Sequence, residues 1–231
     1  MTALNAMPDV NARRGTCSGR SREKVLLVGK KFKQIIIGVD QSYKRTGISI
    51  AADGKLLHVC SVDLSESDDK TWKRREVQRH VEKACFLADA RSKEKPVLVL
   101  ERIRMFSKQF VSIPYIKQMG ALNAYIIDKA WSTGIETYSI DTRAWKAGVL
   151  GTSKPADNDF GVPPEKWPCV DWVIGNGFEK AVKLPVSGRR QKGTFTDGKG
   201  KKWEYDNDAC DSAGIAMSWF CCDPSKFERE F

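Results

Sequence analysis

The chain has 231 residues, of which 41% are hydrophobic, and a formal net charge of +10 at pH 7. That length and apolar content allow one domain with a sizeable core, or a domain with an insertion, and the charge points to a polyanion partner, nucleic acid before an acidic membrane surface. No stretch approaches the ~18 apolar residues of a membrane span, no apolar leader opens the chain, and seven cysteines without a CxxC pair argue against a disulfide framework or a zinc site.

Residues 1–33 carry eight Lys or Arg against Asp9 and Glu23, and read as a basic, flexible arm with a short strand at "VLLV". "IIIGVDQSYKRTGISI" then predicts a strand over 34–41 and a second over 46–52. Asp53-Gly54 is a two-residue hairpin turn into a third strand over 55–63. Residues 68–91 have Val77, Val81, Ala84, Cys85 and Ala88 at helical spacing. "VLVLE" is a short, continuously apolar strand of the kind buried on both faces.

A second helix is predicted over 109–131, with Ile113, Ile116, Gly120, Asn123, Ile127 and Ala130 along one face and Met119, Leu122 and Ile126 beside it. "IETYSI" is a fifth strand, and "DTRAWKAGVLG" a short helix with an Asp/Thr cap and a terminal glycine. The pattern breaks over 152–203, where a proline-initiated helix and a basic hairpin or loop around Asp197-Gly198 are expected. Residues 186–203 hold six Lys or Arg and one acid. A last helix runs over about 206–221, with Ala213, Ile215, Ala216, Met217, Trp219 and Phe220 as its apolar residues, and a tail follows over 222–231. The order β-β-β-α-β-α-β-α implies an α/β domain over 34–221, a five-stranded mixed sheet flanked by helices, with an insertion at about 155–203.

Four acids sit at the ends of buried elements. Asp40 closes the first strand, Glu101 closes "VLVLE", and Asp208 and Asp211 lie three apart on one face of the last helix's first turn. Converging carboxylates repel and call for a counter-ion. All-oxygen ligands suit Mg²⁺ or Mn²⁺, and two such ions ~4 Å apart could clamp a phosphodiester. Each acid also has a structural reading. Asp40 could start a turn, Asp206 and Asp208 could cap a helix, Asp211 could serve its dipole, and Glu101 could pair with Arg102 or Arg104. "DNDACD" lacks the glycine and the closing Glu of an EF-hand loop.

Taken in order, "IIIGVDQSYKRTGISI", "VLVLERI" and "DACDSAGIA" resemble the three acidic motifs of the RuvC-type Holliday junction resolvases, within the RNase H-like superfamily. "IKQMGALNAYIIDKA" and "DTRAWKAGVLGTSK" are similar to that family's second long helix and its basic segment. The resemblance covers about 34–154 and 204–221. It implies an RNase H-like fold and metal-dependent paired nicking of four-way DNA junctions by a homodimer. Asp40, Glu101, Asp208 and Asp211 would be the catalytic metal ligands.

Expected DNA contacts are Lys44, Arg45, Arg104, Phe106, Lys108, Lys146, Lys154, Arg189, Arg190 and Lys192. Where bacterial members often carry an aromatic, three residues after the motif's Glu, this chain has Arg104, with Phe106 two positions on. The longer 155–203 region resembles the phage-encoded branch. The expected setting is the cytoplasm of a bacterial or phage-infected cell, with an organelle as the alternative. Competing functions are another RNase H-like nuclease acting on RNA–DNA hybrids or flaps, and a non-catalytic DNA-binding protein of the same fold.

Overall fold

A strand with no polar residue is stable only where both of its faces are covered. The structure, a computed structural model, describes residues 31–103, 113–152, 154–186 and 193–230. Strand β1 (Ile35–Asp40) lies in the middle of the main sheet, antiparallel to β2 (Arg45–Ala52) and parallel to β4 (Val97–Glu101). Strand β3 (Lys55–Asp63) returns from β2 through the Asp53-Gly54 turn. Both turn residues have positive φ, 50° and 75°, the conformation that a tight hairpin demands. Strand β5 (Glu136–Ile140) runs parallel to β4.

The expected mixed α/β sheet is present, with one strand more than predicted. Residues 227–229, expected in a tail, form an edge strand, β9, antiparallel to β5 in the order β3-β2-β1-β4-β5-β9. Three residues with one aromatic carry no readable alternation. The strand forms because the preceding helix returns the chain to an open sheet edge.

Side-chain alternation divides the sheet between two cores. Ile35, Ile37, Val39, Leu98 and Leu100 pack against helices α1 (Lys70–Arg91) and α2 (Ile113–Ser132). Ile36, Val97 and Val99 face the other way, toward α3 (Thr142–Leu150), α4 (Trp167–Gly175) and the final helix. Each such Ile or Leu, fully buried, contributes about 1.5–3 kcal/mol. Helix α1 buries the five residues its spacing predicted.

Helix α2 does not bury the face predicted first. It buries Met119, Leu122, Ile126 and Ala130, and leaves Ile113 69% exposed. Apolar residues lie almost all round this helix, so periodicity could not choose a face, and the fit against α1 did. The expected start at 109–112 lies outside the described residues, as does the strand expected at "VLLV".

Short helix α5 (Glu179–Val182) leads into a second, three-stranded sheet of order β6-β8-β7. Strands β7 (Thr194–Thr196) and β8 (Lys202–Tyr205) are the expected basic hairpin, and β6 (Lys183–Pro185) adds the third strand. Asp197 pins the turn, accepting from the backbone N–H of Lys199 and Lys201 and from the Trp203 indole at 2.7 Å. Strand β8 delivers the chain into α6 (Asn207–Cys221), in which every residue from Ala209 to Ser218 is buried. No helix among the described residues is long and apolar enough to cross a membrane.

Candidate active site

Strand parity decides where the first two acids point. Asp40 follows Ile36 and Gly38 on one face of β1, and Glu101 follows Val97 and Val99 on the matching face of β4. Both carboxylates therefore lie on the α6 side, at neighbouring strand ends. Helix α6 crosses this face in direct backbone contact. A Cβ at Gly38 would overlap the carbonyl of Ser212 and the amide of Ala216, and one at Gly47 would overlap the carbonyl of Asp208. These two glycines let the first turn of α6 reach the strand ends. Ser49 and Ser212, hydroxyl to hydroxyl at 2.6 Å, join the layers between them.

The described structure brings all four predicted acids into one electrostatic unit. Asp40 is held well above the usual carboxylate range, first by burial and then by Asp211, Glu101 and Asp208, with Lys166 opposing. Burial also raises Glu101. The Thr142 hydroxyl, which donates to its carboxylate, pulls the other way, and Asp211 pushes up again. Asp208 is pushed up to about 6 by burial and by Asp206 and Asp211.

The cap reading falls away for Asp208, and the Arg102 pairing for Glu101. Arg102 pairs with Glu228 at 2.8 Å rather than with Glu101, and Arg104 lies outside the described residues. The helix cap is Asp206, which accepts from the Ala209 N–H at 3.1 Å and from the Ser61 hydroxyl.

Three contributors were not readable in the sequence. Lys166, just ahead of α4, forms an ion pair with Asp211 and is held above its ordinary range: burial lowers it, but Asp211, Asp40 and Glu101 together raise it more. By sequence Thr142 is only part of a cap; Asp141 does that work, accepting from the Arg143 N–H at 2.9 Å. Gln41 donates to the Glu101 carbonyl at 2.6 Å and leaves its own side-chain oxygen buried and unpartnered. Its position directly after Asp40 was the only available signal.

Among the expected DNA contacts, Lys44 and Lys154 are exposed. Arg45 is engaged with Asp63 at 3.1 Å and Glu204 at 3.5 Å, clamping β8 to the main sheet. Lys146 lies over the Trp145 ring and donates to the Glu165 carbonyl at 3.4 Å. Arg104, Phe106, Lys108, Arg189, Arg190 and Lys192 lie outside the described residues.

The donor chemistry fits a hard divalent cation. The acids offer oxygen only, and Asp211, 3% exposed, keeps its Oδ1 buried without a hydrogen-bond partner. The acids are not closed into a cage. Among the described residues no group of three His, Cys, Asp or Glu is drawn together tightly enough to hold an ion.

The raised acids predict how stability follows pH. A folded carboxyl with a raised pKa holds its proton more tightly than the unfolded chain does. The stability it adds is complete below the unfolded value and is lost as pH rises through the folded one. Asp40, Glu101, Asp206 and Asp208 all shift this way. In EDTA the melting temperature is expected to be highest near pH 5 and to fall by several degrees toward pH 8. A flat profile by differential scanning fluorimetry would contradict this arrangement of charges.

No family model matches the chain, and no curated protein matches it. Among solved structures it is similar to Thermus thermophilus RuvC in complex with a Holliday junction substrate, with TM-score 0.53 and 16% identity over 81% of this chain and 93% of that one. It is also similar to Thermus thermophilus RuvC on its own, with TM-score 0.50 and 15% identity over 85% and 99%. A yeast mitochondrial Holliday junction resolvase aligns with TM-score 0.43 and 16% identity over 87% and 85%. The two Thermus structures establish the fold: the chain has the RNase H-like architecture in its RuvC form.

Proposed function

We propose that the chain is a divalent-metal-dependent endonuclease that resolves four-way DNA junctions by paired nicking as a homodimer. The observation that carries this reading is the meeting of Asp40, Glu101, Asp208 and Asp211 at one end of a RuvC-type sheet in a chain of net charge +10. A binding-only protein gains nothing from four mutually repelling carboxylates aimed at a phosphate. That the Thermus relative was solved with a Holliday junction favours branched DNA over hybrid or flap.

The four acids would hold Mg²⁺ or Mn²⁺, a pair of ions per site. When bound, such ions stabilise charge developing on the phosphate and lower the pKa of an attacking water. The chain's own residues do the positioning. Thr142 fixes the Glu101 carboxylate, Gln41 ties the end of β1 to β4, and the Asp206 cap sets the first turn of α6. Two nicks across a two-fold junction need two sites related by that axis, hence a homodimer. Light scattering should give about twice the chain mass; a monomer that cuts both strands would overturn the dimer.

The deciding experiment is Mg²⁺-dependent cleavage of a synthetic four-way junction beside flap, RNA–DNA hybrid and linear duplex of the same sequence. Preference for any of the last three would reject junction resolution.

The basic hairpin supplies a further expectation. Lys199 and Lys201 are exposed and Lys202 is partly so, while Lys201 lies 4.2 Å above the Trp203 ring. If these lysines meet phosphates, junction affinity should fall steeply with salt. The triple variant Lys199→Ala/Lys201→Ala/Lys202→Ala should flatten the log–log slope by about 2–3, near 0.9 per lost contact. An unchanged slope would mean that they are solvated surface charges.

A further inference from the structure

Among the described residues, Lys166 is the cation bonded directly to one of the four acids. Its Nζ is bonded to Asp211 Oδ2, and its charge also acts on Asp40 and Glu101. The backbone beneath it is fixed. The Lys166 N–H donates to the Pro163 carbonyl at 2.8 Å, and the Lys166 carbonyl accepts from Cys169 at 3.2 Å. Lys146 grips the preceding carbonyl, and Trp167 stacks on Phe160 with centroids 5.1 Å apart. The Cys169 thiol donates to the carbonyl of Cys210 at 3.2 Å, tying α4 to α6 one residue before Asp211.

The ammonium satisfies only half of Asp211, whose Oδ1 stays buried without a partner. The side chain of Lys166 remains 34% exposed against 4% for Asp211, so it has a way out toward solvent and the carboxylate has none.

We propose that Lys166 is a positioning residue of this site, a tethered counter-cation that holds Asp211 in register and that a divalent ion must displace on entering. The proposal rests on the metal-site reading above and gives that site a built-in competitor. Carboxylates that face one another in the ionised state call for positive charge. Lys166 supplies it in the metal-free protein, and metal loading becomes an exchange of cations. Apparent metal affinity is then the intrinsic affinity reduced by the fraction of molecules with the pair open.

The test uses the full-length chain without DNA. Mn²⁺ binding is followed by the loss of the free-ion electron paramagnetic resonance signal, and melting is recorded in EDTA at pH 7.5. Lys166→Met should bind Mn²⁺ about tenfold more tightly than the wild type, since the closed state is gone, and should melt lower in EDTA, with Mn²⁺ restoring it. Lys166→Arg keeps a cation and should return both readouts toward wild type, a rescue that mere packing of a long side chain does not give. Lys166→Gln, which keeps a donor to Asp211 without the charge, should follow the Met variant and replaces it if the Met protein does not fold in EDTA. If the wild type binds Mn²⁺ and the neutral variants bind it no more tightly, the counter-cation role is wrong and the metal site stands. If neither wild type nor variants bind Mn²⁺, both fall.

Discussion

Asp211→Asn is expected to reduce metal-dependent junction nicking by on the order of 10²–10³-fold while leaving the protein folded. The size follows from charge stabilisation of several kcal/mol by a bound metal, at about 1.4 kcal/mol per tenfold in rate. Asn keeps the size and shape of Asp but removes a negative ligand at a buried position. Folding should survive because the change also relieves repulsion on Asp40 and Glu101. Lys166, left without its partner, has access to solvent. Junction binding should hold or tighten, since one charge repelling phosphate is gone.

Asp206→Asn supplies the contrast. As an exposed cap it would cost only a few tenths of a kcal/mol, Asn being nearly as good as Asp. Asp206 is 1% exposed, however, and also accepts from the Ser61 hydroxyl on β3. The variant should therefore lose about 1–3 kcal/mol of stability, the usual cost of upsetting a buried polar group, with nicking reduced less than in Asp211→Asn. Near-wild-type cleavage by folded Asp211→Asn protein would remove that residue from the ligand set. Circular dichroism and a single-turnover nicking assay decide both points.

Gly47→Ala is expected to damage stability and activity together. The new Cβ would overlap the carbonyl oxygen of Asp208, which is backbone in the first turn of α6 and cannot rotate away. Either β2 or α6 must shift. Overpacking of this kind costs about 1–3 kcal/mol, more against backbone. At about 3 kcal/mol the melting temperature should fall by roughly 6–12 °C for a chain of this size. The same shift moves Asp208 and Asp211 relative to Asp40, and a misplacement of about 1 Å can cost 10²-fold in rate.

Gly120→Ala is the control. Nothing lies within 4 Å of a Cβ there, in the interior of α2. Alanine should be neutral or stabilising by about 0.5–1 kcal/mol. A Gly47→Ala protein that melts and cuts like wild type would show that the close approach of helix to strand does not position the site.

Much of this arrangement was legible in the residues. "IIIGV" and "VLVL" read as strands covered on both faces, and a carboxylate at the end of such a strand marks a turn, an ion pair or a site where something outside offsets its burial. Asp40 and Glu101 were therefore visible before any fold. Asp208 and Asp211, at helical spacing in a first turn, were visible by the same logic. Glycines 38 and 47 stood within the first motif, but their role as contact points for α6 needs the helix in place.

The residues that went unread share one property: their partners are distant in sequence. Lys166 acts through Asp211, and Thr142 acts through Glu101. Neither pair leaves a local pattern, because local pattern records only which face of an element is buried. The buried face of α2 was ambiguous for a related reason, since that helix is apolar almost all round and only the shape of α1 selects a side. Strand β9, three residues long, forms only because α6 brings the chain back to the free edge of β5. Hydrophobic periodicity, turn residues and the acids that end buried elements determined the elements and the anionic half of the site. Which cation faces those acids, and which helix face is covered, only the tertiary structure decided. Both depend on how α4 and α6, and α1 and α2, pack against each other, and that is a matter of three-dimensional fit rather than of spacing along one chain.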